Sequence, residues 1–300
     1  MSTPLRIGVA GLGTVGAGLP ELFQKHGDLL ARRSGRSLEI TAVSARDKKR
    51  DRGVDFGGYQ WFDNAVDLAA SDDVDVVVEL IGGSDGIARE VVETAIAKGK
   101  AVVTANKALI AHHGTSLAAA AENMNVPLSF EAAVAGGIPI VKALREGLAG
   151  NEISRVYGIL NGTCNYILTQ MEESGRDFDD VLADAQELGY AEADPAFDID
   201  GVDAAHKIAI LASLAFGCPV DFDALHIEGI RHVTALDIAY ATELGYRIKL
   251  LAIARRGEGG IEQRVHPCMV PLHTPIAHVD GVFNAVVAEG DFVDQTVYEG

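Results

Sequence analysis

Leu5 to Phe23 reads LRIGVAGLGTVGAGLPELF, an apolar strand that runs into the glycine triplet Gly11, Gly13 and Gly16 and then into a helical pattern. The triplet has the spacing GxGxxG, and strand before with helix after gives it meaning. Gly11 would make the tight turn, Gly13 would let a pyrophosphate reach backbone N–H groups at the helix start, and Gly16 would let helix and strand pack closely. The alternative is a glycine-rich structural turn.

The surrounding sequence repeats the strand–helix alternation. Leu38 to Ala45 (LEITAVSA) reads as a second strand, and its tip offers Ser44 and Arg46, then Asp47, Lys48, Lys49 and Arg50. An acidic residue at that tip suits the ribose 2′-hydroxyl of NAD, whereas Arg suits the 2′-phosphate of NADP, and Arg46 tilts the reading to NADP with Asp47 left open. Val74 to Gly83 (VDVVVELIGG) is the near-continuous apolar run of a strand buried on both faces. IAREVVETAIAKGK then has helical spacing to Gly99, and Ala101 to Thr104 supplies another buried strand. The fold class expected is therefore α/β, a Rossmann-type doubly wound parallel sheet followed by a second α+β domain, with units at residues 1–138 and 139–300. Ligands of such sheets gather beyond the carboxyl ends of the strands, which places Gly82, Gly83, Thr104, Asn106 and Lys107 along one crevice. Lys107 could also be a surface lysine opening the next helix.

A helical segment at Thr115 to Asn123 and a strand at Val126 to Phe130 lead to EAAVAGGIPIVKALREGLAG. Glu131 to Gly137 reads as a strand-to-helix turn, Pro139 fits a first helical turn, and Gly147 and Gly150 close the helix. Carbonyls converging at such a turn could hold a hard cation, although a plain tight turn explains the same residues. From Ile153 onward the texture changes to an alternating strand, a polar knot (Asn161, Gly162, Thr163, Asn165) that would cap a helix, and a helix from Asp177 to Leu188 ended by Gly189. Next comes EADPAFDIDGVDAAHK, Glu192 to Lys207, with five acids ahead of one lysine and the apolar run IAILASLAF behind it. A helix starting near Gly201 sets Asp203 and Lys207 four residues apart on one face, within reach of each other. An ordinary ion pair at a helix entry is the bland reading. Beyond Pro219 the sequence suggests polar connections and strands near Tyr246 to Ala254, Gln263 to Val270 and Val282 to Ala288, close to an antiparallel meander.

Composition narrows the function classes. The chain has 300 residues, 48% of them hydrophobic, with 25 Lys plus Arg against 43 Asp plus Glu and a formal charge of -18. That charge repels nucleic-acid backbones and anionic membranes. No basic leader or long apolar span is evident, so a cytoplasmic protein is expected. Cys164, Cys218 and Cys268 lack the close pairs of disulfide frameworks or zinc sites, and the histidines are scattered.

Taken together, GLGTVG (Gly11 to Gly16), ELIGG (Glu79 to Gly83), TANK (Thr104 to Lys107), EAAVAGGIP (Glu131 to Pro139), NGTCNYIL (Asn161 to Leu168), LGYAEADPAFDIDGVDAAHK (Leu188 to Lys207) and KLLA at Lys249 resemble the homoserine dehydrogenase family. The resemblance implies interconversion of L-homoserine and L-aspartate 4-semialdehyde with NADP or NAD, in threonine, methionine and isoleucine biosynthesis, by a homodimer. It implies Lys207 as catalytic acid/base with Lys107 and Asp203 beside the chemistry, and Glu192, Asp198, Asp203, Gly162 and Thr163 toward substrate. Gly11, Gly13, Thr14, Val15, Gly16, Arg46, Gly82, Thr104, Asn106, Lys107 and Gly189 would contact the cofactor. A sodium ion would be held by Glu131, Val134, Gly136 and Ile138, mainly through carbonyls. The family usually continues to a glycine-rich segment that completes the cofactor domain and often to a regulatory domain, whereas this sequence ends at VYEG, Val297 to Gly300. The last residues would head back toward the cofactor domain, and a dinucleotide-binding protein without turnover is the competing reading.

Overall fold

Strand β1 (Leu5–Ala10) is apolar and buried from Ile7 to Ala10, where it lies in the middle of a sheet covered on both faces, and carries Arg6 near its open end. In the computed structural model, which describes residues 3–300, the chain separates into two compact units, Met1–Ala133 and Val134–Gly300. In the first unit β1 is followed by α1 (Thr14–Ser34), β2 (Leu38–Ser44), β3 (Gln60–Phe62), α2 (Ala65–Ala70), β4 (Val76–Glu79), α3 (Ile87–Ala97), β5 (Ala101–Thr104), α4 (Lys107–Asn123) and β6 (Leu128–Ser129). The strand order is β3-β2-β1-β4-β5-β6 and every pairing is parallel. The order reverses between β1 and β4, and that switch point opens a crevice at the carboxyl ends of the strands. The doubly wound sheet expected from the glycine loop is therefore present. One face packs Val77, Val91, Val92, Ile96 and Leu109, and the other packs Ile7, Val9, Ile40 and Val43.

Two details differ from the sequence reading. α4 is one helix from Lys107, not a segment starting at Thr115, because the Asn106 side chain caps it by accepting the Leu109 N–H at 3.1 Å. The strand read over Val126 to Phe130 is reduced to Leu128–Ser129.

The second unit runs α5 (Ile140–Lys142, continued by a π turn Ala143–Gly147), β7 (Ile153–Ile159), α6 (Gly162–Ser174), α7 (Phe178–Glu187), α8 (Ala196–Ile199), α9 (Val202–Phe216), β8 (His226–Ile227), α10 (Ala235–Glu243), β9 (Tyr246–Gly257), β10 (Gly260–Pro271), β11 (Ala285–Gly290) and β12 (Asp294–Glu299). Its sheet has the order β12-β11-β7-β9-β10-β8, antiparallel except where β8 joins β10. α9 is apolar nearly all round, as a helix buried against a sheet must be, with Ile208, Ala209, Ile210, Leu211 and Ala212 each at most 1% exposed. Its polar end is therefore rigidly placed.

The sequence reading missed α10, which a Thr234/Asp237 capping box starts inside the region read as polar connections. It also started β11 too early. Residues 279–283 form a loop because the Asn165 amide donates to the carbonyls of Val279, Gly281 and Phe283.

Candidate active site

The glycine loop in the first unit divides its glycines by what each one must avoid. A Cβ on Gly11, whose φ is +103°, would lie 2.4 Å from the Leu80 carbonyl oxygen, and one on Gly16 would lie 2.0 Å from the Gly11 carbonyl oxygen. Those two are demanded by the fold itself. A Cβ on Gly13 would meet no protein atom within 4 Å, so a glycine there is of use to an incoming group rather than to packing. Gly13 is also the N-cap of α1, where no side chain caps the helix and no acid sits in the first turn. The orphan N–H groups and the positive end of the helix dipole are left for an anion, with Thr14 and Val15 exposed beside them. A cavity of about 590 Å³ lies here, lined by Gly11, Gly13, Ser44, Arg46, Arg50 and Leu80 among others. The residues fit a dinucleotide.

The β2 tip is braced by a residue the sequence reading passed over. Arg52 donates to the carbonyls of Leu12 (2.9 Å), Arg50 (2.8 Å) and Asp47 (2.6 Å), which ties the basic loop to the glycine loop. Asp47 accepts the Lys49 N–H at 2.8 Å, a local turn that occupies one carboxylate oxygen, and Arg46, Asp47 and Arg50 all line the cavity.

At the carboxyl ends of β4 and β5 the network centres on Glu79, a fully buried side chain that sequence reading had placed only within a motif. It accepts the N–H groups of Ile81 (2.7 Å) and Gly82 (3.2 Å) and the Thr104 hydroxyl (2.5 Å). Thr104 in turn accepts the Asn106 N–H at 2.9 Å, and Asn106 donates to the Gly83 carbonyl at 2.7 Å. Gly82 and Gly83, at φ +87° and +86°, are thus held on a turn that few side chains could follow. The crevice residues Gly82, Thr104 and Asn106 are brought together. Lys107 follows as the first, half-buried residue of α4.

The second unit holds a separate polar cluster around the start of α9. Lys207 Nζ donates to Asp203 Oδ2 at 2.7 Å and to the Leu160 carbonyl at 2.6 Å, with the two side chains 14% and 5% exposed. Asn161 donates to Asp198 Oδ1 at 2.8 Å and to Asp203 Oδ2 at 2.9 Å, while its amide oxygen caps α6 by accepting the Cys164 N–H at 2.8 Å. Thr163 is 2.9 Å from the Tyr190 carbonyl and 3.4 Å from Asp198, so its single hydrogen goes to the carbonyl. Two carboxylates against one ammonium leave the cluster with one negative charge in excess, the complement of a cationic amine. Burial pushes the neighbouring Cys164 thiol well above its ordinary value, which keeps it inert.

Other sequence-predicted residues lie outside this network. Glu192 is exposed on the loop between α7 and α8; Gln186 binds its backbone carbonyl at 3.0 Å, and no hydrogen bond joins its carboxylate to the cluster. Gly162 is explained by packing, since a Cβ there would lie 2.6 Å from the Val282 carbonyl oxygen. Gly189 follows α7 at φ +79°. Of the candidate cation ligands, Glu131 belongs to the first unit and Val134, Gly136 and Ile138 to the second. Positive φ at Ala135 (+46°) and Gly137 (+102°) turns successive carbonyls along 134–138 in different directions, and the Ile138 carbonyl accepts the Ile140 N–H at 2.8 Å. A carbonyl has a second lone pair, so that bond leaves room for a cation. Among the described residues there is no group of three or more His, Cys, Asp or Glu that could hold a metal.

A doubly wound sheet with this glycine loop, uncapped helix and lined cavity defines a dinucleotide-binding protein. Residues 11–131 match the model of the homoserine dehydrogenase NAD binding domain, and residues 139–300 match the homoserine dehydrogenase model. The chain belongs to the homoserine dehydrogenase family. It is 52% identical over 297 residues to homoserine dehydrogenase of Pseudomonas aeruginosa, covering 99% of this chain and 68% of that one. The crystal structure of a homoserine dehydrogenase from Thiobacillus denitrificans superposes with a TM-score of 0.96 at 51% identity, covering 99% of this chain and 69% of that one. A hyperthermophilic archaeal homoserine dehydrogenase in complex with NADPH gives 0.83 at 27% identity, covering 99% and 92%.

Proposed function

We propose that this chain interconverts L-homoserine and L-aspartate 4-semialdehyde with NADP, with Lys207 as the acid/base, in the route to threonine, methionine and isoleucine. The observation that carries the reading is the pair of hydrogen bonds from Lys207 Nζ to Asp203 and the Leu160 carbonyl. In the neutral amine those two bonds occupy both N–H groups and leave the lone pair in the remaining tetrahedral direction. In the ammonium form that same direction carries the proton to be given. Lys207 thus protonates the aldehyde oxygen in reduction and takes the hydroxyl proton in oxidation. The bound nicotinamide supplies or accepts the hydride. Asp198 and Asp203 receive the substrate's α-ammonium, Thr163 lies beside Asp198, Glu192 would join from the exposed loop between α7 and α8 and Gly162 from the start of α6, and Lys107 is the second lysine of the reaction.

The cofactor rests on Gly11, Gly13, Thr14, Val15 and Gly16, with Gly82, Thr104, Asn106, Lys107 and Gly189 as further contacts. NADP rather than NAD is supported by Arg46, Arg50 and Arg52 lining the cavity, where they outnumber the one acid at the β2 tip, Asp47. A sodium ion held by Glu131, Val134, Gly136 and Ile138 would supply a fixed positive charge. A homodimer is part of the reading, supported by Tyr240, Leu244 and Met269, large apolar side chains exposed around a cavity of about 370 Å³. The test is absorbance at 340 nm with homoserine and NADP or NAD. Turnover that favours NADP supports the reading; cofactor binding with no absorbance change would favour a dinucleotide-binding protein without turnover.

A further inference from the structure

The cluster at the start of α9 contains a residue whose geometry exceeds its capping role. Asn161 is 5% exposed, and all three of its amide contacts are made inside the protein. Its oxygen must face the Cys164 N–H, which fixes the orientation of the amide and sends its two hydrogens to Asp198 and Asp203. One neutral side chain thereby sets the separation of two carboxylates that would otherwise repel each other. It also shares Asp203 Oδ2 with Lys207, while the residue before it, Leu160, supplies the other acceptor for Lys207. The amine and both acids are therefore referenced to a single two-residue segment, Leu160–Asn161.

We infer that Asn161 is the positioning residue of the substrate's ammonium site, holding Asp203 on Lys207 and presenting Asp198 as the carboxylate that answers the cationic amine. The inference rests on the reading that Asp198 and Asp203 bind an amino-acid substrate. It goes further in assigning the arrangement to a buried residue whose amide contacts are with Asp198, Asp203 and the Cys164 N–H. Ser and Asp cap helices about as well as Asn. Asn161→Ser and Asn161→Asp therefore keep the structural role while removing the two bridging donors, and Asn161→Asp adds a third carboxylate.

The test measures kcat and KM for homoserine, NADPH affinity, thermal unfolding and calorimetric homoserine binding for the wild type and both variants. Both variants are expected to stay folded, with a lower unfolding temperature in Asn161→Asp because it buries a third carboxylate against two others, and to bind NADPH as the wild type does. Asn161→Ser should raise the homoserine KM by at least about tenfold and lower kcat, with the larger loss in Asn161→Asp. Wild-type kcat and KM in Asn161→Ser would overturn the inference and leave Asn161 as a cap alone. An inactive wild type would instead count against the activity reading. Calorimetry needs no turnover, and in that case equal homoserine binding by the wild type and Asn161→Ser, or none by either, would overturn the Asn161 assignment by itself.

Discussion

Replacing Glu79 by Gln changes one atom type at the point where the sheet hands over to the Gly82-Gly83 turn. Glu79 is fully buried and accepts three hydrogen bonds, from two backbone N–H groups and one hydroxyl. If the Gln oxygen keeps Ile81 and Gly82, its NH2 faces Thr104, whose hydroxyl hydrogen loses its acceptor. With the amide reversed, two backbone N–H groups face another donor, which is worse. The cheaper arrangement strands one buried donor and costs about 1–3 kcal/mol. Ala would strand all three, roughly 3–9 kcal/mol on the same scale, a large part of a typical domain's stability, so Gln is the informative change. Urea unfolding monitored by circular dichroism should show a lower midpoint at unchanged slope. NADPH titration by fluorescence should show weaker binding, because the turn held by Glu79 lines the crevice. Unchanged midpoint and unchanged affinity would refute the view that this buried acceptor organises the turn.

Further outcomes follow from the same geometry. Gly13→Ala should weaken NADPH binding with little change in stability, whereas Gly16→Ala should lower stability by about 1–3 kcal/mol because its Cβ would lie 2.0 Å from the Gly11 carbonyl oxygen; unfolding curves and cofactor titrations of the pair separate the two effects, and equal behaviour would break the distinction. Arg46→Ala and Arg50→Ala should each weaken NADPH binding by about tenfold and leave NADH binding unchanged, and equal losses for both cofactors would remove them from 2′-phosphate recognition. Asp75 offers a pH test. The Arg6 hydrogen bond holds its carboxyl below the ordinary value of 3.8. A carboxyl lowered on folding stabilises the fold above its unfolded pKa and loses that contribution as pH falls through the folded value. The stability difference between the wild type and Asp75→Asn should therefore be constant near neutrality and shrink below about pH 4, and a difference that grows on acidification would contradict the sign.

The first unit was legible because its signals are local. A strand, a glycine triplet and a helix follow one another within twenty or so residues, and buried parallel strands read as apolar runs. The pairing of Asp203 with Lys207 was legible for the same reason, a spacing of four on one helix. Residues whose roles depend on contacts distant in sequence were less visible. Asn161 reads as a helix cap because its Cys164 contact is local, while its bonds to Asp198 and Asp203 span 37 and 42 residues. Arg52 was lost in a run of solvated charges, although it reaches back 40 residues to Leu12. A signal for Glu79 was present: a carboxylate closing an apolar strand just before Leu-Ile-Gly-Gly needs donors nearby. The start of β11 was misplaced because Asn165 captures carbonyls from a segment more than a hundred residues away.

The most direct test of the central claim is turnover of Lys207→Met, which keeps an unbranched side chain of similar length and removes the proton. Homoserine oxidation followed at 340 nm should fall by about 10²–10⁴-fold, the usual contribution of a general base. NADPH affinity measured on the same preparation should stay at the wild-type value, while the unfolding temperature should fall because buried Asp203 loses its ammonium partner. Wild-type turnover in Lys207→Met would contradict the assignment of the proton to this residue.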